Sequence, residues 1–211
     1  MNPQIRKADW YFDFLSPFAY LQNCRLDEFP SNLFINRKPL LFAGLLNHWG
    51  TKGPVELSAK RLFTYRHVQW LAGQLGVPLC FPGRHPFNPI SLLRLCIAAD
   101  CSKKAVDAIF NCVWVEGLTG DDPGNWKRFC DSVNITEFEA LEKISSHEIK
   151  QELKSNGQEA LEKGIFGVPT LVMDGNLFWG FDSTDMAIGY LSDPQLFDSS
   201  EMKRLETLPG Y

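Results

Sequence analysis

The sequence predicts an α/β protein in which a small sheet is interrupted by a large, wholly helical insertion. Three observations carry this expectation. An aromatic, alternating segment near residue 10 runs into a helix and then into a second extended segment, a βαβ pattern. Residues 57–150 show almost only helical periodicity. The stretch 167–180 then returns to two short extended runs around Asp174-Gly175, a strong hairpin signal.

Each element has its own reason. "DWYFDF", 9–14, is aromatic and alternating, as a buried strand is. Ser16 suits an N-cap and Pro17 a first helical position, so a helix is expected from Pro17 to about Phe29, stopped by Pro30. "LFINRKPLLF", 33–42, reads as the second strand, and "GLLNHWGTKGP", 44–54, as a short turn-rich stretch. A helix follows over 57–76, starting near Ser58 and stopping at Gly76 before Pro78. Four prolines in 77–89 bar any regular element there. Helices are expected at about 90–100, 102–116, 125–132, 136–143 and 146–163. After the hairpin, 181–191 restarts a helix with Asp182 or Ser183 placed to cap it. Beyond Pro194 the polar tail suits a short helix or a loose end. Because a βαβ unit needs a sheet to join, 1–56 and 151–211 are expected to form one domain and 57–150 a helical insertion over it.

Composition narrows the function classes. The 211 residues are 45% hydrophobic and 22% charged, ordinary globular values that allow one sizeable core. A net charge of −4 without a clustered basic face argues against a nucleic-acid partner. The first residues lack an apolar leader core, and no run of about 18 apolar residues occurs, so the expected location is the cytoplasm, away from membranes. The six cysteines, Cys24, Cys80, Cys96, Cys101, Cys112 and Cys130, form no CxxC and read as reduced, mostly buried thiols. The four histidines have no metal-ligand spacing, so no metal is expected.

Three stretches are candidates for a site. Ser16 at a helix start offers a hydroxyl beside exposed N–H groups, an arrangement that favours an anion and is equally that of a plain N-cap. Val168-Pro169 in "GVPT" precedes a strand and is either cis or trans; a cis bond would present Val168 N–H and C=O to a peptide-like ligand. Asp182 and Ser183, in "WGFDS", offer a carboxylate and N–H groups to an amino-acid end, or simply cap the helix they begin.

Taken together, "YFDFLSPFAYL", "GTKGP", "AKRLFTYRHVQWLAGQLGVPLCFP", "HPFNP" and "IFGVPTLVMDGNLFWGFD" resemble the bacterial 2-hydroxychromene-2-carboxylate isomerases and the related kappa-class glutathione transferases. The resemblance runs from about residue 10 to 191 and implies a thioredoxin-like fold with a large all-helical insertion domain. Related disulfide oxidoreductases carry CxxC where this chain has Ser16-Pro17-Phe18-Ala19, so dithiol exchange at that position is ruled out. The resemblance implies glutathione as cofactor, its sulfur beside Ser16, Pro17 and Phe18, its cysteinyl part on Val168 and Pro169, and its γ-glutamyl end on Gly180, Asp182 and Ser183. Ser183 stands where relatives often have Arg, and Thr51 where kappa enzymes have Asn. Lys60 is placed for the glycine carboxylate, or is a solvated lysine on a helix face.

The implied activity is a glutathione-dependent cis–trans isomerisation of 2-hydroxychromene-2-carboxylate to trans-o-hydroxybenzylidenepyruvate, a step of naphthalene-type catabolism. Thiolate addition, ring opening, rotation and elimination split that reaction into easier steps. Phe18, Trp49, Lys52, Phe87 and Asn88 are the expected substrate contacts, the aromatics among them being equally suited to core packing. A small aromatic substrate and a homodimer complete what the resemblance implies. Two other activities stay open: a kappa-type transferase or peroxidase for another electrophile, and a non-catalytic thioredoxin-fold binding protein.

Overall fold

A computed structural model describes residues 6–209. The amino-terminal stretch read above for a leader therefore lies partly outside the described residues. The strands are β1 (Arg6–Phe12), β2 (Leu33–Pro39), β3 (Thr170–Met173) and β4 (Asn176–Trp179). The α-helices are α1 (Pro17–Asn23), α2 (Phe42–Trp49), α3 (Ser58–Leu75), α4 (Ile90–Ala98), α5 (Lys103–Trp114), α6 (Trp126–Ser132), α7 (Glu137–Ser145), α8 (His147–Glu162), α9 (Thr184–Ser192) and α10 (Ser200–Leu205). The sheet order is β2-β1-β3-β4, with β1 parallel to β2 and antiparallel to β3, and β3 antiparallel to β4. This is the thioredoxin-like arrangement expected, with the helices α3 to α7 between its two halves.

Strand alternation sorts side chains to the two sheet faces. Ala8, Trp10 and Phe12 point into the large core, while Tyr11 joins a smaller one with Leu40, Leu45, Ile165 and Val172. The large core crosses from sheet to helical block. Trp10 stacks on Phe12 at 4.4 Å, and Phe14 meets Phe110 of α5 edge-on at 4.7 Å. On the opposite face Tyr11 Oη donates to Glu159 of α8 at 2.8 Å. Lys163 pairs with Asp9 at 2.7 Å and with Glu159 at 2.8 Å, tying α8 to β1.

Some elements differ from their sequence expectation for physical reasons. The segment over 44–54 is not merely turns: α2 occupies most of it and ends at Gly50, φ 63°. Its N-cap, Leu41, has no capping side chain; the Phe42 N–H is instead taken by Asp13, just after β1, at 2.9 Å. β1 stops at Phe12 because Asp13 turns the chain, its C=O accepting from Ser16 N–H at 3.0 Å. α1 ends at Asn23, six residues before Phe29, and a short 3-10 turn over Leu26–Glu28 completes the connection. The hairpin behaves as read: Asp174 and Gly175 take φ of 50° and 83°, the left-handed pair of a tight two-residue turn.

Two buried polar side chains hold this frame. Asp13 is fully buried, and its carboxylate accepts from Leu15 N–H and Phe42 N–H, both at 2.9 Å. Burial pushes its pKa up to about 7, although the two N–H donors pull it down. Gln22 of α1, also fully buried, accepts from Trp10 Nε1 at 2.7 Å. It donates to Gly180 C=O at 3.0 Å and Thr184 Oγ1 at 3.1 Å. It thereby fastens α1 to β1 and to the turn after β4.

The raised pKa of Asp13 means that the folded state holds a proton that the unfolded chain releases near its model value of 3.8. Its contribution is therefore full below about pH 4 and fades as pH rises through about 7, by up to roughly 4 kcal/mol. Denaturant unfolding across this range should show that decline, and Asp13→Asn should flatten it; an unchanged slope in the variant refutes the assignment. Gln22→Met strands the Trp10 indole N–H and should lower unfolding free energy by about 1–3 kcal/mol. Equal midpoints for the two proteins would show that the clamp contributes nothing.

Candidate active site

The topology gathers four connections at one end of the sheet. β1 runs toward Ser16, and parallel β2 runs the same way toward α2. Antiparallel β3 starts at that end, just after Val168-Pro169, and β4 finishes there at Gly180. Ser16, the α2 region, Val168-Pro169 and Gly180–Ser183 therefore share one edge, although they lie far apart in sequence.

Ser16 is the N-cap of α1, with extended backbone at φ −87°, ψ 115°. Its Oγ accepts from Ala19 N–H at 3.2 Å, and its C=O accepts from Ala19 and Tyr20 N–H. The hydroxyl oxygen is thus used as a cap, while its proton stays available to an acceptor. Pro17 supplies no N–H, so Phe18 N–H is the remaining orphan donor of this turn. No acidic side chain occupies the first turn, which leaves its positive end uncompensated. Ser16 is 8% exposed, so bulk solvent has little access to it.

The loop before Ser16 is held from three directions. Asp13 carboxylate takes Leu15 N–H at 2.9 Å, and Trp114 Nε1 of α5 donates to Phe14 C=O at 2.9 Å. His85 Nε2 meets Leu15 C=O at 2.8 Å. Because a carbonyl only accepts, that nitrogen carries the ring proton, and Nδ1 faces Tyr65 Oη at 2.9 Å. Burial lowers the His85 pKa, with the Leu15 carbonyl acting in the opposite sense. Asp13, Tyr65, His85 and Trp114 were not singled out from the sequence as site-forming residues. "HPFNP" marked the right loop, but the role of His85 depends on a carbonyl 70 residues away.

The Val168-Pro169 bond is cis. Among the described residues, Val168 N–H and C=O have no hydrogen-bond partner, whereas Pro169 C=O accepts from Gly180 N–H at 2.8 Å. Thr170 Oγ1 donates to Gly167 C=O at 2.8 Å, and Trp49 Nε1 donates to Ile165 C=O at 3.0 Å. Trp49 so ties α2 to the Val168 segment while remaining 45% exposed. Gly167 has no room for a side chain, since a Cβ would lie 2.4 Å from Trp179 Nε1.

Gly180 takes φ 89°, and a Cβ there would come within 2.5 Å of Asp182 Oδ1. Asp182 is exposed. Ser183 N–H and hydroxyl both donate to Gly180 C=O, at 3.3 and 2.9 Å, and its side chain makes no helix cap. A 3-10 turn over Phe181–Ser183 precedes α9; Ser183 stands at the N-cap position of α9, one of the two places the sequence offered, but without a side-chain cap bond, because its hydroxyl turns back to Gly180. Thr51, Lys52 and Lys60 are exposed, and neither lysine forms an ion pair among the described residues. Phe18 is half-buried, 6.1 Å from the His67 ring of α3. Phe87 lies in the core at 5% exposure. Asn88 Oδ1 accepts from Ile90 N–H at 3.0 Å at the start of α4. Among the described residues no cluster could hold a metal, and no helix is long and apolar enough to cross a membrane.

Comparison with known proteins places this geometry. The family model of the DSBA-like thioredoxin domain matches residues 7–192. A 2-hydroxychromene-2-carboxylate isomerase of Pseudomonas putida is 30% identical, over 83% of this chain and 89% of its own length. Glutathione S-transferase kappa 1 of Homo sapiens is 25% identical, over 89% and 91%. A solved structure of 2-hydroxychromene-2-carboxylate isomerase superposes with a TM-score of 0.79 at 27% identity, covering 92% of this chain and all of the other. A Ser-Pro helix start in place of a redox dithiol, beside a cis-proline on a four-stranded mixed sheet, thus accompanies similarity along nearly the whole chain: it belongs to the DSBA-like thioredoxin family, in the group of the 2-hydroxychromene-2-carboxylate isomerases.

Proposed function

We propose that this chain is a glutathione-dependent isomerase of the 2-hydroxychromene-2-carboxylate type. The observation that carries the reading is the state of Ser16: its oxygen is engaged by Ala19 N–H, while its proton is free beside the orphan Phe18 N–H. Two donors converge where a thiolate needs stabilisation, and no cysteine of the chain is there to supply one. The names of its relatives, isomerase and glutathione transferase, support the same assignment.

The residues present fit glutathione. Val168 N–H and C=O are open to pair with a cysteinyl backbone as an added strand would. Asp182 offers a carboxylate to the γ-glutamyl ammonium, alone, because Ser183 is turned toward Gly180. Lys60 and Thr51 are accessible on the far side for the glycine carboxylate. When bound, glutathione would supply the nucleophilic thiol of the reaction. Ser16 and Phe18 N–H would then be the donors to its sulfur, and the clamps from His85 and Trp114 keep the Ser16 loop from shifting. Phe18, Trp49 and Lys52, all at least partly exposed, are the side chains offered to a flat anionic aromatic acid.

Conversion of 2-hydroxychromene-2-carboxylate, followed by absorbance with and without glutathione, tests the reading directly. Fast conversion only with glutathione is expected. Ser16→Ala should then lower kcat by about 10–100-fold with the fold intact; unchanged turnover removes Ser16 from the mechanism. Conversion of a chloronitrobenzene-type electrophile, with none of the chromene acid, would favour a kappa-type transferase. Failure of glutathione to bind in calorimetry would leave a binding module. The chain is further proposed to act as a homodimer, for which Leu62, Phe63 and Trp70 of α3, 54%, 69% and 60% exposed, provide apolar surface. Light scattering at one chain per particle would overturn that.

A further inference from the structure

The turn between α4 and α5 brings two cysteines together. Asp100 and Cys101 both adopt left-handed backbone, with φ of 58° and 46°. Asp100 N–H donates to Ile97 C=O and Cys101 N–H to Cys96 C=O, both at 2.9 Å. This pair of bonds is the Schellman closure of a helix. It sets the side chain two residues beyond the C-cap against the one three residues before it. Here both positions are cysteine. The closure brings the two backbones into direct hydrogen-bond contact, Cys101 N–H to Cys96 C=O at 2.9 Å, the close approach that a disulfide needs.

Burial pushes the Cys96 thiol well up, so Cys101, the less buried of the two, is the thiol placed to react first. The Cys96 and Cys101 side chains interact directly, and Arg37 of β2 lies within electrostatic reach of both sulfurs. Arg37 Nε is buried with no hydrogen-bond partner among the described residues. Cys96 is buried and Cys101 half-buried, so one thiol can be reached from solvent and the other only through it.

We propose that Cys96 and Cys101 form a reversible dithiol–disulfide couple whose oxidant is glutathione disulfide. Cys101 thiolate attacks one sulfur of that disulfide; a protein–glutathione bond forms and one glutathione leaves. Cys96 thiolate then attacks Cys101 Sγ, closing the protein disulfide and releasing the second glutathione. The protein loses two electrons, the reagent gains them, and the two thiol protons end on the two released glutathiones. The couple sits in the helical block and does not depend on the Ser16 reading.

The test uses the full chain carrying Cys24→Ser and Cys80→Ser, which removes the two exposed thiols. It is equilibrated with graded ratios of oxidised to reduced glutathione, then alkylated and mapped. The expected product is about 2 Da lighter than the reduced protein. Its tryptic peptide 95–103 should contain an internal disulfide and take up no alkylating reagent. Cys96→Ser should stop at a glutathione adduct on Cys101. Alkylation of both cysteines in that peptide at every ratio, or stable adducts on the unsubstituted pair, overturns the proposal without reference to any variant's stability.

Discussion

The turn into Ser16 and the start of α2 are both set by one buried carboxylate. Asp13 accepts Leu15 N–H, which shapes the turn into Ser16, and Phe42 N–H, which starts α2. Two elements that share no local sequence are thereby oriented by a single side chain. A fully buried carboxylate without a cationic partner is costly to ionise, and two short N–H bonds offset only part of that cost. Retaining such a group where a neutral side chain would be cheaper is consistent with a site whose geometry matters more than stability.

Around that carboxylate, the two halves of the molecule have separate duties. The sheet supplies the backbone groups: Val168 at the entry to β3, Gly180 at the exit of β4, and the Ser16 turn after β1. The helical block supplies the restraints, through Trp114 on Phe14 C=O and His85 on Leu15 C=O. A loop fixed from both sides can present a hydroxyl proton in one direction, which preorganised charge stabilisation requires. Because Phe14, Phe110 and Trp114 belong to one continuous core, strain introduced in α5 would reach the Ser16 turn through packed side chains.

The cysteines illustrate how position decides chemistry. Where relatives of the oxidoreductase type place a dithiol, this chain has Ser16 and Ala19. Its adjacent thiols occur instead in the helical block, where a helix closure rather than a CxxC spacing puts them side by side. Scanning for CxxC misses such a pair, because Cys96 and Cys101 are five apart and meet only when Asp100 and Cys101 turn left-handed.

Local patterns by themselves determined much of this protein. Alternation in "DWYFDF", the Ser16-Pro17 start, the prolines of 77–89 and the Asp174-Gly175 turn each act over a few residues, and the structure has a strand, a helix start, an irregular loop and a hairpin there. The expected helix starts near 102, 136 and 146 fall on Ser102, Thr136 and Ser146, which the structure shows capping α5, α7 and α8 with their own side chains. What the sequence could not determine is whatever is satisfied at long range. α2 was hidden because its cap comes from Asp13, 29 residues earlier, and His85 because its acceptor is Leu15. Ser183 could be named as a neighbour of Asp182, but only the folded turn decided that its hydroxyl faces Gly180. Hydrogen bonds within a turn are encoded by adjacent residues, whereas those between elements exist only once packing has brought their partners together, and in this chain the site is built mainly from the second kind.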